Sequence, residues 1–230
     1  MNRRILLVRH GRTAWNAEGR YQGQADPSLD DVGRVQARIL ASLVAALRPD
    51  VILSSDLRRA QETAAPIAEI CGLHVLADAR LRERSLGHWE GLTRAEVAER
   101  YPDEYADWAA GRDVTRRGGE TREQVASRSR AAFDDLPDVD LAVLMTHSAT
   151  AMALCAELLG LSQQVHVISP LANCHWSELR SAEGEADRGV DGAALGWRLR
   201  SHNVGAPGIV IPFGMADRAV DADDAADAQA

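Results

Sequence analysis

Residues 5–16 read ILLVRHGRTAWN, and this stretch decides the fold. Ile5, Leu6, Leu7 and Val8 form an uninterrupted apolar run, long enough for a strand buried on both faces. The run ends abruptly in Arg9, His10 and Gly11: a cation, an imidazole and a residue that lets the backbone turn. Open α/β sheets bind ligands beyond the carboxyl ends of their strands. His10 is therefore placed for chemistry. A strand end whose Arg and His simply face solvent fits these three residues equally well.

A second strand ends in the same way. Asp140 to Met145, carrying LAVLM, runs into Thr146, His147 and Ser148, and a helix follows directly to Leu159 with Gly160 as its cap. Val32, Val35, Ile39, Leu40, Leu43, Val44 and Leu47 recur at helical spacing until Pro49 stops the run. Asp50 to Leu53 is a strand. Ser54, Ser55 and Asp56 are then N-cap residues for a helix that reaches Cys71, with Gly72 after it. Leu73 to Leu76 is a short strand, Thr93 and Glu96 form a capping box, and residues 120–136 are helical. Residues 12–31 read as a functional loop and residues 100–119 as helix and loop over the sheet. Cys174 to Leu179 and Gly196 to His202 read as edge strands, joined by a polar hairpin tip at residues 182–192. The alternation predicts an α/β domain, a three-layer α/β/α sandwich with a mostly parallel central sheet. It spans residues 1–213, and residues 214–230, rich in Ala and Asp, form a disordered acidic tail.

Composition narrows the function. The chain has 230 residues, 46% apolar and 26% charged, as expected of a globular protein with a sizeable core. All 26 basic residues are Arg, so lysine chemistry is excluded, while Arg can still grip phosphate with its planar fork. A net charge of −8 without a long basic block argues against nucleic acid as a partner. The opening apolar run is too short for a signal peptide, and no stretch has the length of a membrane span. Cys71, Cys155 and Cys174 are far apart in apolar settings, which reads as free thiols in a reducing, cytoplasmic compartment. A homodimer through an edge strand is left open by the sequence.

If the two histidine-ended strands are neighbours, His10 and His147 meet at one sheet edge, and Arg59, a turn into the helix after the second strand, points the same way. Two Args and two histidines make an anion site, most simply one for phosphate. Helix N-termini beyond Ser54 and Ser148 would add N–H donors. No spacing such as H-E-x-x-H marks a metal site, so no metal or other cofactor is expected.

The order of motifs resembles the histidine phosphatase superfamily, the phosphoglycerate-mutase-like fold. The resemblance runs from Arg4 to Asn203. It rests on R-H-G at residues 9–11, TAWN, YQGQADPSLDDVGRVQA, SSDLRRAQETA, RLRERSLGHWEGLT, GGET and the T-H of His147. It implies that His10 is the nucleophile that becomes phosphohistidine. It also implies that Arg9, Arg59 and His147 form the phosphate pocket, with His147 grouped among the catalytic residues. Glu83 is implied as the acid that protonates the leaving oxygen and then activates water. Asn16 and Gln22 match residues at or beside the phosphate. Ser148 departs from the Gly common after the second histidine and borders the substrate. Without the resemblance, Glu83 between Arg82 and Arg84 would read as a surface ion pair. Mutases of the family read TGW after the first motif and carry a longer lid insertion. QGQ, LGHWEG and the short segment 91–120 therefore favour hydrolysis of a small phosphorylated metabolite. The pattern resembles glucosyl-3-phosphoglycerate phosphatases and their broad-specificity relatives. Mutase-type phosphoryl transfer and a non-catalytic phosphate-binding module are the alternatives.

Overall fold

A computed structural model describes residues 3–164, 167–181 and 196–205. The expected acidic tail and the hairpin tip at residues 182–192 lie outside these residues. Six strands form one sheet: β1 (Arg4–Arg9), β2 (Val51–Ser54), β3 (Val75–Ala77), β4 (Leu141–Thr146), β5 (Trp176–Ser181) and β6 (Trp197–Val204). Their order is β3-β2-β4-β1-β5-β6. The first four are parallel, and β5 and β6 are added antiparallel. The sheet is thus mostly parallel, as expected. One correction concerns β5, which is interior between β1 and β6; only β6 is an edge on that side. It pairs on both sides, with an irregular register towards β6, whereas the sequence shows only that it is short and half polar.

Alternate residues of the apolar runs serve opposite layers. Ile5 and Leu7 of β1 and Leu144 of β4 face α6 (Arg122–Asp134) and α7 (Ser148–Leu158). Leu6, Val8, Ile52 and Val143 face α2 (Asp31–Ala45) and α3 (Arg58–Cys71). On α2 the buried Ala37, Leu40, Ala41 and Val44 repeat at helical spacing. Each such buried Leu or Ile contributes roughly 1.5–3 kcal/mol by leaving water. Residues 12–31, expected as a loop, contain the short α1 (Ala14–Glu18), closed by a Thr13–Asn16 capping box. The Thr93–Glu96 capping box opens α4 (Arg94–Arg100), and Pro102 starts α5 (Pro102–Ala109). These two helices cover a small separate core around Trp89, Val97 and Val114. No helix among the described residues is long and apolar enough to cross a membrane.

The turn after β1 is pressed against α2. A Cβ on Gly33 would lie 2.0 Å from the Arg12 carbonyl oxygen, so only hydrogen fits there. Gly33→Ala is expected to lower stability by about 2–3 kcal/mol through overpacking against backbone, read as a fall in the urea midpoint at unchanged slope. An unchanged midpoint would show that the two segments separate freely.

Candidate active site

Strand register brings the two histidines together. β1 and β4 are adjacent, with Arg9 paired to Thr146, so His10 and His147 leave the sheet side by side. Their ring centroids are 5.0 Å apart. Both are buried, His10 at 3% exposure and His147 at 0%. His10 Nδ1–H donates to the Gly11 carbonyl at 2.7 Å, which leaves Nε2 with its lone pair. Burial, reinforced by the charges of Arg59 and Arg9, holds the His10 imidazole well below its usual pKa. Burial and Arg59 do the same to His147.

Arg59, the residue that the resemblance implies, is fully buried, while Arg58 beside it is exposed. Its guanidinium donates through Nη1 to Ala25 O at 2.6 Å and through Nη2 to Gly23 O at 2.8 Å. Its Nε donates to His147 Nδ1 at 3.2 Å, which puts the His147 proton on Nε2, facing Ser55 Oγ at 2.9 Å. Burial pushes the Arg59 pKa down to about 10, so it stays cationic at neutral pH. Arg9 Nη1 donates to Leu171 O at 2.5 Å.

These groups floor a pocket of about 490 Å³, lined by Arg9, His10, Arg59, Asn16, Gln22, Glu83 and Ser148 among others. His147 is the exception among the expected site residues. It lies one layer deeper, with both ring nitrogens engaged by Arg59 and Ser55, and so reaches the pocket through Arg59. Gln22 Oε1 and Ser148 Oγ have no hydrogen-bond partner among the described residues. Asn16 Oδ1 accepts from Thr13 N at 3.1 Å, so its side chain also serves the cap of α1.

Glu83 is not a surface ion pair. Arg82 grips Asp56 with two bonds and Arg84 binds Asp113. The Glu83 carboxylate instead accepts from Arg84 N at 2.8 Å and from Ala149 N and Thr150 N, both at 3.3 Å. The donors expected from the start of α7 are therefore spent on Glu83, because its carboxylate sits across that helix end. The expected N-cap of α3 also moved. Helix α3 begins at Arg58 with Leu57 as N-cap, and Asp26 accepts from Arg58 N at 2.6 Å. Ser55 Oγ instead accepts from Leu57 N at 3.3 Å, just before the helix, and faces His147 Nε2 at 2.9 Å.

Several supporting residues escaped the sequence. Ser55 Oγ meets the Nε2 proton that Arg59 fixes on His147. Thr63 Oγ1 accepts from Gly11 N at 3.0 Å and donates to Arg59 O at 2.7 Å, tying the turn after β1 to α3. Asn173 Nδ2 donates to His10 O at 3.0 Å. Among these, only the polar Thr63 on the buried stripe of α3 carried a signal. Among the described residues no three His, Cys, Asp or Glu side chains group as a metal site. Cys71, Cys155 and Cys174 are free thiols, and Cys71 is only partly buried.

The depressed imidazoles carry a pH signature. Their folded pKa lies below the unfolded value of about 6.5, so the unfolded chain binds more protons in that window. Stability is expected to fall as pH drops below about 6.5, and His147→Gln should flatten that slope in urea midpoints. An equal slope in both proteins would assign the titration elsewhere.

Two histidines at adjacent strand ends, a buried Arg bonded to one of them and a helix-held carboxylate make a candidate site for an anion such as phosphate. The chain belongs to the histidine phosphatase superfamily (branch 1), whose family model matches residues 5–188. The glucosyl-3-phosphoglycerate phosphatase of Mycobacterium tuberculosis is 36% identical over 217 residues, covering 89% of this chain and 96% of the relative. A probable phosphoglycerate mutase of Yersinia enterocolitica is 35% identical over 205 residues, covering 86% and 91%. The solved structure of a mycobacterial glucosyl-3-phosphoglycerate phosphatase in complex with VO3 superposes with a TM-score of 0.76 at 35% identity, covering 88% of this chain and 100% of that one.

Proposed function

We propose that this chain is a metal-independent phosphomonoesterase. Its substrate is a small phosphorylated metabolite, glucosyl-3-phosphoglycerate or a related sugar or glycerate phosphate, and its intermediate is phosphohistidine at His10. The observation that carries the reading is the His10 Nδ1–H bond to Gly11 O, which aims an unprotonated Nε2 into a pocket floored by Arg9 and Arg59.

The cations hold the equatorial phosphoryl oxygens while Nε2 attacks phosphorus in line. The ester P–O bond breaks, and Glu83 gives its proton to the departing oxygen. Glu83 then takes a proton from water, which attacks phosphorus and breaks the P–N bond. Inorganic phosphate leaves and neutral His10 is restored. Asn16, Gln22 and Ser148 border the phosphoryl group, and His147 is a positioning residue that holds Arg59 beside His10. Residues 1–213 are taken as one catalytic domain. The three free thiols support a cytoplasmic location. The net charge of −8 supports a small-molecule partner rather than nucleic acid.

The mutase among the relatives is the second reading, in which a hydroxyl rather than water accepts the phosphoryl group. Dependence on a bisphosphorylated primer with net isomerisation of 3-phosphoglycerate would establish it. For hydrolysis the expected result is a phosphoenzyme that is acid-labile and base-stable, trapped by rapid quench after mixing with labelled substrate. Equal label in acid and in neutral quench would remove histidine as the carrier.

A further inference from the structure

A second cavity, of about 70 Å³, adjoins the main pocket. Arg84, Arg122, Ala149 and Met152 line both spaces, so nothing thicker than these side chains separates them. The cavity begins on the leaving-group side of the site, since the Ala149 N–H that borders it donates to Glu83 Oε2 at 3.3 Å. Its floor is the apolar flank of α7 at Ala153 and Ala156. We infer that this side pocket is a subsite for a neutral, hydroxylated part of the leaving group, such as the hydroxymethyl arm or one edge of a sugar ring. The inference rests on the phosphatase reading above and names the part of the substrate that the phosphate site leaves unspecified.

The mouth of this pocket already holds a carboxylate. One carboxylate, Asp113, is shared by both arginines at the mouth: its Oδ1 is 2.5 Å from Arg84 Nη2 and 3.6 Å from Arg122 Nη1. Arg84 Nε also donates to Glu120 O, and Arg122 Nη1 to Gly111 O. An incoming anion would stand beside the Asp113 carboxylate and compete with it for these two cations. A hydroxyl has no such conflict, because it can take the guanidinium N–H groups that these bonds leave over. It can also donate. Gln163 gives its Nε2–H to Ala153 O at 3.0 Å, so Oε1 is the acceptor that its amide retains. Donors and an acceptor at the rim with alkyl groups below match the hydroxyl edge and C–H face of a polyol. The volume is several times the roughly 10–15 Å³ that one water needs. It accommodates an arm or a ring edge and no larger group.

The test fills the pocket from its floor. Ala153→Leu is expected to lower kcat/KM for glucosyl-3-phosphoglycerate by at least about tenfold, the scale at which one or two methylenes discriminate in a pocket. The value for 3-phosphoglycerate, the same ester without its sugar, should stay within about twofold. Ala156→Val, a smaller intrusion, should move the ratio in the same direction and guards against misfolding of the first variant. Equal loss on both substrates, or loss on neither, overturns the inference and leaves the phosphatase reading intact. If wild type hydrolyses no phosphomonoester, that reading fails instead, and calorimetric titration with glucosylglycerate decides the subsite. Binding by wild type that Ala153→Leu loses supports it, and equal binding or none overturns it.

Discussion

His10→Ala is expected to lower turnover of every phosphomonoester substrate by about 10⁴-fold or more, the scale seen when a covalent nucleophile is removed. That corresponds to about 5–6 kcal/mol of transition-state stabilisation. The effect should fall on kcat. Arg9 and Arg59 are anchored by backbone carbonyls and by His147, none of which depends on the His10 ring, so the pocket that binds the phosphoryl group survives. Water could still attack a phosphoryl group held there, but without an in-line imidazole it has no positioned base nearby except Glu83, which is committed to the leaving oxygen in the first step. The fold should tolerate the change, because His10 contributes one side-chain hydrogen bond, to Gly11 O, and otherwise fills space. A loss of about 1–2 kcal/mol in stability is the ordinary consequence of such a truncation. Steady-state release of inorganic phosphate, with unfolding monitored in parallel, checks both halves. If the variant retains near wild-type turnover while the labelled phosphoenzyme disappears, phosphohistidine is a side product and the mechanism is wrong. Persistence of the label would move the nucleophile to another residue.

What could be read from sequence divides along a physical line. Patterns between neighbours in the chain were legible. The apolar runs of β1 and β4, the spacing along α2 and the capping box at Thr93 each announce themselves within a few residues. His10 and His147 were legible because both terminate such runs. Arg59 was picked over Arg58 by the resemblance, and it is the buried one of the pair. Glu83 was legible only through resemblance, since its helix-end donors come from 66 residues further along the chain. The supporting hydrogen bonds were not legible at all. Thr63 meets Gly11 across 52 positions, Ser55 meets His147 across 92, and Asn173 meets His10 across 163. Nothing local distinguishes such a Ser from a helix cap, which is how Ser55 was misread. The same limit hid the deeper placement of His147, because register shows that two side chains leave the sheet together and not which one Arg59 turns towards.

Glu83→Gln separates chemistry from placement. The amide has nearly the shape of the carboxyl group but cannot release a proton to the leaving oxygen. A general acid contributes roughly 10²–10⁴-fold, and the loss should scale with how much the leaving group needs that proton. For a sugar or glycerate phosphate, whose alkoxide is a poor leaving group, kcat/KM is expected to fall by about 10³-fold. For p-nitrophenyl phosphate, whose phenolate departs unprotonated, the fall should be about tenfold at most. The second step then becomes limiting, because water has lost its base, and phosphoenzyme should accumulate as a burst of nitrophenol ahead of slow phosphate release. Geometry adds a smaller loss common to both substrates. Oε1 accepts from Arg84 N and Thr150 N and Oε2 from Ala149 N, so one of the two positions must present the new NH2 group to a backbone donor. That mismatch turns the side chain by some amount whatever the leaving group, and it therefore cancels in the ratio of the two substrates. The ratio is the measurement that matters. An equal fall on alkyl and aryl esters, without a burst, would mean that Glu83 serves only to hold the start of α7 in place, and another group would have to deliver the proton.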